Sequence, residues 1–213
     1  MKKMKKIGAA ILAACMVVSM AACGNSATTG DNGSQSESSS NSGKTDIVIA
    51  VDADIDTLHP ANFSTTVELN ILNQIYDTLM YMNPDETHDP EPRIAESYEI
   101  SDDGLDYTFH LRDDVTFHDG SKLTSEDVKF SLEMYQQSEY QGYEVDGLAS
   151  VDTPDDTTVV CHLEYPYSPF LLGVCNVHIA SKSYYEASAD NFVSSPVGTG
   201  PYKYVGRNKG CLL

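Results

Sequence analysis

The tract Gly24–Lys44 limits what this chain can fold. Fourteen of its 21 residues are Gly, Ser or Asn, and Ala27 is its only apolar side chain. Such a stretch buries too little surface to offset chain entropy. It reads as a disordered tether with a root-mean-square span of about 25 Å. The foldable part of the 213 residues therefore begins near Thr45 and amounts to one domain's worth of chain.

An export signal precedes the tether. Met1–Lys6 holds four lysines and no acid, and Ile7–Met20 is almost wholly apolar or small. A charged region followed by a short apolar run marks a signal peptide. The run is 14 residues long, and a spanning helix needs roughly 20. In Met20-Ala21-Ala22-Cys23-Gly24, small residues stand ahead of a cysteine, which resembles a bacterial lipobox with Cys23 as the lipid-bearing residue. Leu12-Ala13-Ala14-Cys15 fits the same local pattern but leaves an apolar run of eight residues, so Cys23 is preferred. The expected division is a lipoprotein signal peptide at 1–22, a tether at 23–45 and a globular part at 46–213. Lipid on Cys23 would hold the chain to the outer face of the bacterial cell membrane, with no other membrane contact.

From Asp46 onward, 30 acids stand against 8 Lys and Arg, a formal charge of -22. Nucleic-acid binding is excluded, since no basic face can meet phosphate. Direct adhesion to anionic lipid is excluded on the same ground. Cys161, Cys175 and Cys211 remain beyond the anchor; no C-x-x-C occurs, and Cys161 and Cys175 either pair or stay as buried thiols. The six histidines show no close pair at ligand spacing, so no metal or cofactor is expected. No G-x-S-x-G and no H-E-x-x-H is present. The acid pairs Asp102-Asp103, Asp113-Asp114 and Asp155-Asp156 fall at turns or strand ends, where solvated acids are ordinary. An enzyme is not expected.

Periodicity then divides the globular part. Asp46–Asp52 reads as a strand covered on both faces. Thr66–Met82 reads as a helix ended by Asn83-Pro84, with Val67, Ile71, Ile75, Leu79 and Met82 near helical spacing. Leu105, Tyr107, Phe109 and Leu111 alternate with polar residues after an Asp102-Asp103-Gly104 turn, which predicts a hairpin over Tyr98–Arg112. Thr124 caps a helix with Val128, Leu132 and Tyr135 as its inner stripe. A second hairpin is expected over Val145–Leu163, a short helix over Pro166–Asn176 and a strand over Val177–Ala180. The class is mixed, α/β or α+β.

Six segments in order resemble family 5 extracellular solute-binding proteins, the peptide- and nickel-binding subunits of ABC importers. They are Asp56-Thr57-Leu58-His59-Pro60, Asn73–Leu79, Pro92–Tyr98, Tyr107–Gly120, Leu123–Glu133 and Pro196-Val197-Gly198-Thr199-Gly200-Pro201-Tyr202. The resemblance implies a type II periplasmic-binding-protein-like fold, whose two lobes close on a ligand. It assigns 46–66 and 179–213 to the first lobe and 67–178 to an added subdomain. It implies that most of the first lobe is present. The segments expected after Tyr204, and with them the second lobe, are missing, so a truncated form with impaired binding is expected.

The resemblance further implies a monomeric binding protein that captures an oligopeptide or dipeptide outside the cell and delivers it to ABC permease subunits. Nickel or a metal chelate is the alternative ligand, and a surface receptor or adhesin the alternative role. The loop after the first strand faces the cleft in the family, which makes Leu58, His59, Phe63, Ser64 and Thr65 the candidate ligand-binding residues. Asp127, Val128, Ser131, Gly198, Thr199, Gly200, Pro201 and Tyr202 are motif residues read as structural.

Overall fold

The computed structural model describes residues 49–51, 53–82, 90–188 and 193–206. The signal peptide, Cys23, the tether, residues 46–48 and 52 of the first expected strand, Asn83-Pro84 and Cys211 lie outside the described residues. In chain order the elements are α1 (Thr66–Ile75), β1 (Met80–Met82), β2 (Pro90–Pro92), β3 (Ala95–Ile100), β4 (Asp106–Leu111), α2 (Ser125–Gln136), β5 (Leu148–Asp155), β6 (Thr158–Leu163), α3 (Phe170–Val174) and α4 (Lys182–Ala187). A 3-10 turn at Gly142–Val145 precedes β5.

The alternation around Phe109 builds the centre. β3 and β4 form the expected hairpin, with Tyr98 opposite Phe109 and Gly104 at φ 70° in its turn. β4 then pairs with β6, and β6 with β5, giving an antiparallel sheet of order β3-β4-β6-β5. Every second residue of β4 and β6 is buried, so one face carries Tyr107, Phe109 and Leu111 beside Val159, Cys161 and Leu163. Val128, Leu132 and Tyr135 of α2 and Phe170 of α3 are fully buried in the same cluster. The Tyr107 and Phe170 rings meet edge to face at 5.1 Å. Burying each such large side chain contributes about 1.5–3 kcal/mol. A smaller cluster joins Ile55, Leu58 and Phe63 to Leu72, Ile75 and Tyr76 of the α1 region and to Ala180.

Four expectations change. The helix from Thr66 ends at Ile75, and Tyr76 is already extended at φ -114°, ψ 150°. Its last carbonyls are taken by another segment: the Gly200 N–H donates to Ile75 O at 2.8 Å and the Tyr202 N–H to Gln74 O at 2.9 Å. Beyond it the chain is held extended, since Ile179 N–H donates to Asp77 O and Ala95 N–H to Leu79 O, both at 2.9 Å. Leu79 and Met80 are wholly buried there. A buried extended run and a helical stripe both read as dense apolar sequence. Secondly, Ile49–Val51 form no strand, and Ile49 and Val51 are exposed. No ladder among the described residues takes up their backbone groups, and a strand needs one. Thirdly, Val177–Ala180 makes a single bridge, His178 to Thr78, in place of a strand. A helix on which the sequence raised no expectation, α4, follows it, started by the Ser181 hydroxyl accepting from Tyr184 N–H at 3.3 Å. Fourthly, β5 begins at Leu148 and not at Val145, because Gly147 turns the chain at φ 78°.

Candidate functional site

The loop before α1 is organised by one carboxylate. Glu68, 2% exposed, accepts from Asp56 and Thr57 N–H on Oε1 at 3.0 and 3.2 Å. Its Oε2 accepts from Ser64 N–H, Thr65 N–H and the Thr65 hydroxyl at 3.0 to 3.1 Å. The Glu68 N–H donates back to Thr65 Oγ1, completing a capping box. Burial alone would raise the Glu68 pKa, but the bonds from Ser64, Asp56, Thr65 and Thr57 bring it below the ordinary value. The charge also sits at the positive end of α1.

The other side of the loop is tied to α2 and the turn beyond it. Tyr135 donates its hydroxyl to Pro60 O at 2.7 Å, Ser138 to Ala61 O at 2.6 Å, and Gln141 its amide to Phe63 O at 3.0 Å. His178, wholly buried, has Nδ1 2.9 Å from the Tyr135 hydroxyl and Nε2 2.9 Å from Asn73 Oδ1. Its ring packs on Phe63 and Tyr76 at 5.8 and 5.9 Å. Burial pushes its pKa down to about 4, against a smaller opposite pull from the Pro60 carbonyl, so the ring is neutral. Residues 56–65 are thereby held from both ends of the segment.

Of the five candidates, Phe63, Ser64 and Thr65 come together. They line a cleft of about 260 Å³ with Tyr143, Glu144 and Asn176. His59 instead lines a separate cavity of about 390 Å³, with Phe130, Met134 and Tyr185 among its walls. Its Nδ1 accepts from Ala61 N–H at 3.1 Å, and burial lowers its pKa. Leu58 lines neither and packs in the smaller apolar cluster. Glu68, Tyr143, Glu144, Asn176 and His178 went unrecognised in the sequence. Only Glu68 had a signal there, the Thr65-x-x-Glu68 capping pattern.

The motif residues make backbone joints. Asp127 accepts from Thr124 N–H on one carboxylate oxygen and from Lys182 N–H on the other, each at 2.9 Å. Ser131 donates to Asp127 O at 2.7 Å and accepts from Ala180 N–H at 2.9 Å. Val128 is fully buried between them on α2. Gly198 and Gly200 lie against the Ile75 carbonyl so closely that a Cβ at either would overlap it. Thr199 Oγ1 accepts from Asp77 N–H at 3.3 Å, and His118 Nε2 stands 2.8 Å from Gly200 O. Pro201 lines a further cavity with Arg93, while Tyr202 is exposed. Cys161 and Cys175 are both free and buried, and burial raises both thiol pKa values. Among the described residues no helix is long and apolar enough to cross a membrane.

This mixed α/β architecture is that of type II periplasmic binding proteins. The ABC transporter-associated periplasmic binding protein DppA of Helicobacter pylori, solved with the peptide STSA, is 32% identical and superposes with a TM-score of 0.66 over 74% of this chain and 36% of that one. NikZ of Campylobacter jejuni, solved with Ni(L-His), is 31% identical, with a TM-score of 0.65 over 75% of this chain and 33% of that one. Heme-binding protein A of Haemophilus influenzae is 31% identical over 94% of this chain. The chain spans 41% of that relative's length. The model of the bacterial extracellular solute-binding proteins, family 5, matches residues 89–211. The chain belongs to this family.

Proposed function

We propose that this chain is the capture component of an ABC importer, taking up peptides outside the cell and passing them to permease subunits. The observation that carries the reading is the fixed loop 56–65, which presents Phe63, Ser64 and Thr65 to a cleft while Glu68 and α2 hold its backbone. A loop already ordered before binding loses little further entropy when a ligand arrives, so more of the contact energy appears as affinity. The cleft is lined by apolar Phe63 and Leu69 together with polar groups, the usual make-up of a small-molecule site. A family of solute-binding proteins, in which one relative was solved with a peptide, favours peptide as the ligand.

Residues 1–22 as a signal peptide, lipid on Cys23 and a tether to residue 45 complete the proposal and put the cleft at the outer face of the cell membrane. The boundaries drawn at 66–67 and 178–179 between first lobe and added subdomain belong to the same proposal. The test is a nuclear magnetic resonance titration of the isotope-labelled chain with di- to pentapeptides, with nickel–histidine as a competing arm. Peptide-induced shifts at Phe63–Thr65 support the reading. Shifts there with nickel–histidine and none with peptide would transfer the assignment to metal chelates.

A further inference from the structure

The described lining of the cleft at Phe63–Thr65 holds a carboxylate and no basic side chain, and that charge bias points to the ligand chemistry. Among the described residues Glu144 is the one carboxylate on its wall, and neither Lys, Arg nor His lines it. Three donors on the rim just ahead of α1 are already used. Ser64 and Thr65 N–H both point to Glu68, as does the Thr65 hydroxyl. The positive end of α1 thus already faces a carboxylate of its own chain.

Glu144 is held in place on a short turn. Val145 beside it is buried, and Gly173 of α3 packs so closely on the Glu144 carbonyl that no side chain fits between. Its Oε2 accepts from Asn176 Nδ2 at 3.1 Å, a neutral partner. Its charge is felt by its neighbours: after burial, the Glu144 carboxylate is the next cause raising the Tyr143 hydroxyl and the Cys175 thiol. Exposed Tyr143 supplies an aromatic face on the same turn, to which a cation is also attracted.

We propose that Glu144, with Tyr143 and the Ser64–Thr65 rim, is a specificity-determining subsite for a cationic nitrogen of the ligand, a primary ammonium or a guanidinium. The inference rests on the peptide-capture reading and names the ligand group that the cleft selects. The ammonium can come from a peptide N-terminus or from a lysine side chain, and the test separates them.

The whole chain is titrated with four peptides of equal length: a lysine peptide with a free amine, its N-acetylated form, the norleucine isostere with a free amine, and the N-acetylated norleucine peptide. A charge-assisted bond gained at Glu144 makes at least one cationic peptide bind about tenfold more tightly than the doubly neutral one. The arm that retains this advantage tells which amine is read. Glu144→Gln keeps the Asn176 contact and brings the ratio near one, while Glu144→Lys reverses it. Peptide binding with equal affinity for charged and neutral forms, or a ratio unmoved in Glu144→Gln, overturns the subsite and leaves peptide capture standing. Absence of shifts with all four peptides overturns the capture reading and the subsite with it.

Discussion

Replacing Glu68 by Gln isolates the carboxylate on which the site loop depends. The native side chain accepts four backbone N–H bonds and one hydroxyl bond. Glutamine keeps one oxygen and turns an amide NH2 towards the second set. Either the Asp56–Thr57 pair or the Ser64–Thr65 pair then faces a donor. A hydrogen bond to a charged group contributes about 1.5–3 kcal/mol, so two lost bonds set an upper bound of about 3–6 kcal/mol. Asp56, Ser64 and Thr65 are exposed, and water can replace part of that. The expected destabilisation is therefore about 1–3 kcal/mol, read from urea unfolding at neutral pH. Amide exchange at Asp56, Thr57, Ser64 and Thr65 accelerates in parallel. The pH dependence has a definite sign. The folded-state pKa of Glu68 is depressed, so its stabilisation is complete above the ordinary value of 4.5 and is lost as pH falls through the lower folded value. The difference between wild type and Glu68→Gln should accordingly shrink on acidification. Equal urea midpoints at neutral pH with unchanged exchange at those four amides would refute the assignment of Glu68 as the loop's organiser.

Three further outcomes follow from the geometry. His178 has a folded pKa near 4 against an ordinary 6.5, so the unfolded chain protonates first and stability declines as pH falls from 6.5 towards 4. That pH-dependent loss is on the order of 3 kcal/mol and should be absent from the unfolding curves of His178→Gln. His162 behaves in the opposite sense: Asp106 first, then Asp152, hold its proton, so its contribution is present at low pH and lost as pH rises through a folded pKa above 6.5. The ring is a third exposed, so His162→Gln should cost less than about 1 kcal/mol at pH 5.5 and nothing measurable at pH 8.5 by urea titration. A Cβ at Gly200 would lie 2.6 Å from the Ile75 carbonyl carbon, whereas nothing lies within 4 Å at Gly206. Gly200→Ala should cost about 1–3 kcal/mol in thermal or urea unfolding, and Gly206→Ala within about 0.5 kcal/mol of nothing.

The sequence carried those parts of the fold whose signals are local. Alternation through Tyr107, Phe109 and Leu111 needs only the two-residue repeat of a strand, and Gly104 and Gly120 mark turns because both take positive φ. The Thr124 start of α2 is legible for the same reason, with the Asp127 carboxylate accepting from Thr124 N–H and hydroxyl. Contacts between distant segments are not written in any local pattern. The end of α1 at Ile75 is set by Gly200 and Tyr202, more than a hundred residues away in the chain. His178 sits among Val177 and Ile179, and nothing in those neighbours shows that its ring joins Asn73 to Tyr135. The cleft itself was partly legible. Phe63, Ser64 and Thr65 came from the loop's place in the family resemblance, while Tyr143, Glu144 and Asn176 reach it only through the packing of the 3-10 turn on α3.

That division has a functional consequence. Asp127, Ser131, Gly198 and Gly200 spend their chemistry on backbone contacts that join α1, α2 and the 180–182 segment. A residue that satisfies buried backbone groups cannot vary with the ligand without destabilising the fold. Of the cleft residues outside the shared segments, Thr65 caps α1 and Phe63 packs in the core, whereas Ser64, Tyr143, Glu144 and Asn176 are under no such constraint. Phe63, Ser64 and Thr65 follow the Asp56–Pro60 segment, and Tyr143, Glu144 and Asn176 lie outside all six. Relatives named or solved with heme, a nickel–histidine complex and a peptide keep the common scaffold. The proposed cation subsite accordingly falls on positions, Tyr143 and Glu144, that the shared segments leave free and that the turn before β5 holds in place.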